Sequence, residues 1–209
     1  MTEYALYCFG ESGNSYKPAL MLNVCGLDWA PNKVAFMDGE TRSAAYRSDV
    51  NEMGEAPVLK HEGRLLSQSG VILDYLVERT GRFGWSSNDE RREILRWLLY
   101  DNHKFTSYIA TYRFLTFLMK QDNEVTKFLK GRVDGALAIV DKHLTGREWI
   151  ALDRPTIADF SMAGYMFYDG ELGFDFAKLP AIAAWRERIR ALPNWKGPYD
   201  LMPRDAKTG

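Results

Sequence analysis

The stretch that decides the fold of the first part of the chain is residues 56–81, Ala-Pro-Val-Leu-Lys-His-Glu-Gly-Arg-Leu-Leu-Ser-Gln-Ser-Gly-Val-Ile-Leu-Asp-Tyr-Leu-Val-Glu-Arg-Thr-Gly. Two short β-prone runs flank Glu62-Gly63, a pattern typical of a β-hairpin. From Ser69 to Thr80 the apolar residues recur at helical spacing, and Gly81 supplies a stop. The stretch therefore predicts two antiparallel strands followed by a helix.

The residues before this stretch predict a strand, a helix and a second strand. Residues 4–9 are β-prone, and residues 10–15 are a cluster of turn formers. A helix is expected from Tyr16 to Gly26, with Pro18 tolerated in its first turn. A strand over residues 33–36 would then pair in parallel with the first, because the connection is a helical crossover. With a weakly helical stretch at 41–50, the order to residue 81 is βαβαββα.

Beyond Ser86 strand-like alternation ends and long segments of helical period follow. One helix is predicted from Asn88 to about Met119, and others begin near Thr156 and at Pro180. The helix between them is predicted to bury one apolar face, formed by Val125, Phe128, Leu129, Val133, Leu137, Val140 and Leu144. We therefore predict a mixed-sheet domain at 1–81, a linker at 82–87 and an all-helical domain at 88–209.

Charge and composition exclude several classes of function. The 209 residues carry 27 basic and 28 acidic side chains, a formal net charge of −1, so nothing favours nucleic acid or an anionic membrane surface as partner. We find neither a secretory signal nor an apolar stretch long enough to span a bilayer, which predicts a cytoplasmic protein. The two cysteines, Cys8 and Cys25, fit no metal motif, and no metal is expected.

The loop Ser12-Gly13-Asn14-Ser15 is the first candidate for chemistry. Loops between a strand and a helix expose backbone amides, and the helix dipole favours an anion such as a thiolate or a carboxylate there. A serine hydroxyl that donates a hydrogen bond to a thiolate would favour the charged form. The alternative is that Ser12 and Ser15 only cap the helix.

Three further motifs have both a structural and a functional interpretation. Pro57 opens a strand and leaves main-chain groups free for an extended ligand, more sharply so if its peptide bond is cis; a plain trans proline is the alternative. Ser69, after Gln68, can cap its helix or bind a carboxylate. Thr156 and Asp159 form a capping box that nucleates a helix.

Taken together, these motifs resemble the cytosolic glutathione transferase superfamily over nearly the whole chain. The loop at Ser12 resembles the active-site loop of serine-type bacterial, fungal, zeta- or theta-like members. Residues 54–59 look like the family's cis-proline segment, Gln68-Ser69 resembles its Glu/Gln-Ser pair, and Thr156-Ile157-Ala158-Asp159 looks like its buried capping box. The resemblance implies a thioredoxin-like domain that binds glutathione as co-substrate, and a helical domain that supplies most of the pocket for an apolar electrophile.

The resemblance also implies roles for individual residues. Ser12 would stabilise the glutathione thiolate, with Asn14 and Ser15 as competing candidates and the nearby phenol of Tyr7 as a further one. Glu55, Ala56 and Pro57 are expected to be glutathione-binding residues, and Ala56 would pair through its backbone with the cysteinyl segment, presented by cis-Pro57. Gln68 and Ser69 would bind the γ-glutamyl end.

Departures from the family pattern affect the expected chemistry. Glu55 places an acid near an anionic ligand, unless it points away or pairs with a cation such as Lys33. The active-site loop holds no cysteine, which disfavours thiol exchange. Conjugation of glutathione to an electrophile is therefore the predicted reaction; a glutathione-dependent isomerase, lyase or peroxidase, or a non-catalytic glutathione-binding protein, is the alternative.

A homodimer is implied as well. Family dimers often add a polar residue from the neighbour's fourth helix, and Asp101, Asn102 or His103 could serve in that role.

Overall fold

In a computed structural model the chain is described over residues 2–205 and forms two compact units. The first comprises residues 2–82 together with 192–205, and the second comprises residues 83–191. The predicted fold class is confirmed, with a mixed sheet and its helices followed by helices alone. The sequence prediction assigned all of 88–209 to the helical domain, whereas residues 192–205 make their contacts with the sheet unit.

A four-stranded sheet in the order β2-β1-β3-β4 is the centre of the first unit. Its strands are β1 (Tyr4–Cys8), β2 (Trp29–Lys33), β3 (Val58–His61) and β4 (Arg64–Ser67). β1 pairs with β2 in parallel and with β3 in antiparallel, and β3 forms the predicted hairpin with β4. The leucines at the centre of the sheet, Leu6 and Leu59, are fully buried.

The position of β2 was predicted wrongly. We expected residues 33–36, but the strand lies at Trp29–Lys33 and includes Pro31. β2 is an edge strand, where a proline is tolerated because one side of the strand has no ladder partner. Val34 extends the contact with β1 by one bond, from its amide to the Cys8 carbonyl at 2.9 Å, and its buried side chain explains the apolar signal.

Helices α1 (Gly13–Val24), α2 (Ala44–Asp49) and α3 (Ser69–Thr80) complete this unit, with the short α9 (Pro198–Leu201) packed on α1. α1 begins three residues earlier than predicted, because Ser12 caps it. α3 ends at Thr80 as predicted, with Gly81 in the left-handed conformation at φ 65°.

The second unit contains helices α4 (Asn88–Tyr100), α5 (Thr106–Arg113), α6 (Glu124–Leu144), α7 (Ile157–Met162) and α8 (Pro180–Arg190). The helix predicted from Asn88 to about Met119 is continuous in its path, but two wider π-helical turns at 101–105 and 114–118 interrupt its α geometry. The predicted face of α6 is partly wrong, because Val125 and Phe128 are exposed. Its last four predicted members are buried, as is Trp185 of α8. Among residues 2–205 no helix is long and apolar enough to cross a membrane.

Candidate functional site

The register of the sheet brings three of the predicted motifs to one edge. Tyr7 of β1 lies opposite Val58 of β3, and Val58 lies opposite Ser67 of β4. The end of β1, the start of β3 and the end of β4 therefore meet at the same edge. The Ser12 loop follows the end of β1, and the Gln68-Ser69 pair follows the end of β4. The Ala56-Pro57 segment directly precedes the start of β3.

Ser12 is the N-cap of α1. Its backbone is extended (φ −92°, ψ 108°), and its Oγ accepts a hydrogen bond from the Ser15 amide at 3.1 Å. The Ser12 amide donates to the Phe9 carbonyl at 3.1 Å, which closes a tight turn before the helix. Because the capping bond uses Oγ as an acceptor, it leaves the hydroxyl proton for a second partner. Capping and donation to an anion are thus compatible at this residue.

Asn14 and Ser15 contribute polar atoms that are buried and have no partner within residues 2–205. Among the described residues, neither Asn14 Oδ1 nor Ser15 Oγ has a hydrogen bond. Ser15 is fully buried, and Asn14 is half-buried. A buried polar atom left unpaired costs about 1–3 kcal/mol, so these groups need an explanation that the fold alone does not provide.

The Ala56-Pro57 peptide bond is cis, as the resemblance implied. The carbonyl of Glu55, one residue earlier, accepts hydrogen bonds from the Asn51 amide group at 2.9 Å and the Tyr46 hydroxyl at 3.1 Å. Two side chains thus hold the backbone entering the cis bond. Their role was missed in the sequence, because neither residue belongs to a recognisable motif.

Glu55 and Gln68 contact each other. The Gln68 side-chain amide donates to the Glu55 carboxylate at 2.9 Å, so the predicted partner Lys33 is replaced by a neutral donor. Gln68 is the residue before α3 and has a positive φ of 68°, while Ser69 is the first residue of the helix. The expectation that Ser69 caps α3 is wrong, because the N-cap position is Gln68, and its side chain makes no capping bond. Ser69 is half-buried at the start of the helix.

Tyr7 is less suited than Ser12 to bind a thiolate at this edge, and the two cysteines are less suited to act as nucleophiles. Tyr7 packs against the small cluster of Phe9, Val34 and Tyr46, which Ala56 also contacts. Burial raises the pKa of the Cys8 thiol to about 12, and burial also raises the pKa of Cys25. Both side chains stay protonated at neutral pH, and a thiol is a poor nucleophile in that form.

The residues proposed to reach a neighbouring subunit lie in the second unit, and one of them is unsuitable. Asp101 is 1% exposed, and its carboxylate accepts hydrogen bonds from Thr106 at 2.7 Å and Ser161 at 2.6 Å. It is committed to the interior of its own unit. Asn102 and His103 are exposed and line an open concavity of about 660 Å³.

The capping box of α7 is a closed polar network. One oxygen of Asp159 accepts from the Ile150 amide and the Trp185 indole, both at 2.9 Å, and the other accepts from Thr156. Burial raises the pKa of Asp159 to about 6, against the opposing effect of these hydrogen bonds.

Within residues 2–205 no group of three or more His, Cys, Asp or Glu side chains could hold a metal ion.

A sheet in this order with a cis-proline before β3 defines the thioredoxin-like class. Family models for the glutathione S-transferase N-terminal domain and C-terminal domain match residues 2–78 and 103–193. A solved glutathione S-transferase from Pseudomonas fluorescens [Pf-5] has a TM-score of 0.88 and 30% identity, covering 94% of this chain and 99% of that one. The chain belongs to the glutathione S-transferase superfamily.

Two further proteins are similar to this chain, and the first of them is named for a different reaction. The disulfide-bond oxidoreductase YfcG of Escherichia coli (strain K12) is 26% identical over 201 residues, or 88% of this chain and 89% of that protein. A glutathione transferase homologue from Lodderomyces elongisporus, solved with two GSH per subunit, has a TM-score of 0.86 and 21% identity, covering 97% of this chain and 100% of that one. Membership of the superfamily therefore leaves the reaction open.

Proposed function

We propose that this protein is a glutathione transferase that ionises the glutathione thiol and adds the thiolate to an apolar electrophile. The observation that carries the proposal is the register at Tyr7, Val58 and Ser67, which supports a single binding edge formed by the Ser12 loop, cis-Pro57 and Gln68-Ser69. The superfamily and the GSH in the L. elongisporus structure support glutathione as the co-substrate.

Ser12 is the proposed thiolate ligand. Its hydroxyl proton is available for donation, because the bond from the Ser15 amide uses the oxygen only as an acceptor. The dipole of α1, a helix of 12 residues, adds to the stabilisation of a negative sulfur near its first turn. The thiol proton passes to solvent, the sulfur forms a bond to the electrophilic carbon, and the leaving group departs with the electron pair of the bond it breaks.

The remaining candidates have supporting roles. The backbone of Ala56 would pair with the cysteinyl segment of glutathione, and Gln68 and Ser69 would bind its γ-glutamyl end. Asn14, which is half-buried, is the proposed alternative to Ser12, whereas the fully buried Ser15 would reach the ligand only if the first turn of α1 shifts. The Glu55 carboxylate is held by Gln68, which supports an orientation set by that bond rather than by the ligand.

Binding and ionisation can be tested together by recording the thiolate absorbance of glutathione with the purified protein as the pH is raised. We expect the thiolate absorbance to appear at a lower pH than it does for free glutathione. S-methylglutathione, which has no ionisable thiol, is the matched control and should bind without the signal. Absence of binding by both ligands would refute the proposed function.

The reaction class needs a substrate panel. Aryl halides, maleyl-type acids, peroxides, β-aryl ethers and small disulfides would be assayed with glutathione under identical conditions. Turnover of aryl halides above the others supports conjugation, whereas turnover of disulfides above the others would support the activity named for the E. coli relative. Glutathione binding without turnover of any substrate would favour a non-catalytic protein.

A homodimer is also proposed, on the resemblance to the superfamily, and Asn102 and His103 remain the candidates to reach the neighbour. Light scattering should give twice the mass of the chain. A monomer mass would contradict this proposal without affecting glutathione binding.

A further inference from the structure

The last described residues return to the sheet unit. For brevity, residues 194–205 are called the tail. The Tyr16 hydroxyl of α1 donates to the Lys196 carbonyl at 2.8 Å, and the Asn23 side chain donates to the Asn194 carbonyl. The tail is thus fastened along α1 before it reaches the end of β1.

At the end of β1 the tail contacts the turn that precedes Ser12. The Gly10 amide donates to the Pro203 carbonyl at 2.7 Å. A Cβ at Gly10 would lie 3.0 Å from the Tyr199 ring and 3.2 Å from the Pro203 carbonyl oxygen, so a larger residue would push the tail away by a few tenths of an ångström. The next residue, Glu11, is 3% exposed, and its carboxylate accepts a hydrogen bond from the Asp205 amide at 2.9 Å.

Asp205 also contacts the segment that follows β2. Its carboxylate accepts a hydrogen bond from the Met37 amide at 2.7 Å. Since β1 and β2 are parallel, the segments that follow them leave the sheet at the same edge. A single half-buried residue therefore joins the turn before Ser12 to the segment that follows β2.

We propose that Asp205 is a positioning residue for Ser12. The Ser12 amide closes the turn onto the Phe9 carbonyl, and the two residues inside that turn, Gly10 and Glu11, are the ones bound by the tail. Asp205 holds the end of the tail in place through Met37, and the tail fixes the direction in which the Ser12 hydroxyl is presented. The proposal rests on the proposed function for its catalytic consequence, but not for its structural part.

Three variants separate the loss of the bond between Asp205 and Met37 from the loss of any carboxylate in the tail. Asp205→Ala removes the acceptor for the Met37 amide, and Asp205→Asn keeps a side-chain oxygen there. Asp200→Ala is the matched control, because it removes an exposed carboxylate from the same tail. The first readout is amide hydrogen exchange of peptides covering residues 9–16 and 34–40, without glutathione. We expect faster exchange in both peptides of Asp205→Ala, with Asp205→Asn and Asp200→Ala close to wild type.

The second readout is catalytic. A less constrained Ser12 should raise the pKa of the bound glutathione thiol, so the rising limb of the pH profile of kcat/KM moves to higher pH in Asp205→Ala. At neutral pH we expect a loss of about fivefold, largely in kcat, with Asp205→Asn restoring most of it.

The outcomes distinguish the two proposals. Unchanged hydrogen exchange in Asp205→Ala would overturn the positioning role, whatever the activity. Faster exchange in Asp205→Ala, with no thiolate signal in the wild-type protein, would support the structural link and refute the proposed function. Faster exchange with an unaltered pH profile, in a wild-type protein that does form the thiolate, would overturn the link between Asp205 and Ser12.

Discussion

Two helix starts, α1 at Ser12 and α7 at Thr156, have the same cap chemistry but different surroundings. In both, an extended N-cap residue accepts a hydrogen bond from an amide of the first turn. At α7 the Asp159 carboxylate completes the network, with both of its oxygens bonded. At α1 the Ser15 hydroxyl is buried with no partner among residues 2–205. The closed network stabilises the fold, whereas the cap at α1 leaves the Ser12 hydroxyl proton for the ligand that we propose.

The largest effect expected from this comparison is at α7. Asp159→Asn replaces one acceptor oxygen with a donor that faces other donors, and leaves buried N–H groups unpaired. We expect a loss of about 4 kcal/mol in the free energy of unfolding, as each unpaired buried group costs 1–3 kcal/mol. Urea denaturation of the wild-type protein and of Asp159→Asn measures this loss. A loss below about 1 kcal/mol would mean that the network contributes little.

The same pair of proteins should differ in pH dependence. Because burial raises the pKa of Asp159 from 3.8 to about 6, the folded state binds this proton more tightly than the unfolded state does. The stabilisation from protonated Asp159 is complete below about pH 4 and is lost as the pH rises through 6. The stability difference between wild type and Asp159→Asn should therefore shrink over that interval. A difference that grows with pH would contradict the assignment.

At α1 the main effect should be on catalysis. Ser12→Ala removes the proposed donor to the thiolate, and we expect kcat/KM for an aryl halide to fall about 100-fold, with glutathione affinity nearly unchanged. The unfolding free energy should fall by only about 1 kcal/mol, the usual value of a cap. Ser87→Ala is the matched control, since Ser87 caps α4 through an equivalent bond to the Glu90 amide at 3.2 Å. An unchanged pH profile in Ser12→Ala would transfer the role to Asn14, Ser15 or Tyr7.

The smallest effects should have opposite signs at the two helix starts. Thr156→Ala removes a bonded hydroxyl and should cost about 1 kcal/mol. Ser15→Ala removes a buried hydroxyl that has no partner in the described part of the chain, so the unfolding free energy should be unchanged or should rise by up to about 1 kcal/mol. If Ser15→Ala instead destabilises the protein as much as Thr156→Ala does, the Ser15 hydroxyl has a structural partner. The proposed difference between the starts of α1 and α7 would then be wrong.

The parts of the structure that the sequence predicted well depend on local spacing. Thr156 and Asp159 are three residues apart, so their capping box is visible in the sequence, and the hairpin at Glu62-Gly63 is equally local. β2 was misplaced, because Pro31 argues against a strand unless the strand is known to lie at an edge.

Contacts between residues that are distant in the sequence could not be predicted from local patterns. The bond from Asp205 to Glu11 spans 194 residues, and nothing in either neighbourhood indicates it. The contact between Gln68 and Glu55 depends on the register of the hairpin and on the positive φ of Gln68. The cis bond at Pro57 was expected from the resemblance alone, since the residues around it allow either isomer.

Pro31 has a consequence for the behaviour of the protein in concentrated solution. β2 lies at the outer edge of the sheet, and an unprotected edge is a template for strands of other molecules. Proline offers no amide donor to an incoming strand, and the exposed Lys33 adds a charge that would have to be desolvated. We therefore expect both residues to disfavour the addition of a foreign strand at this edge.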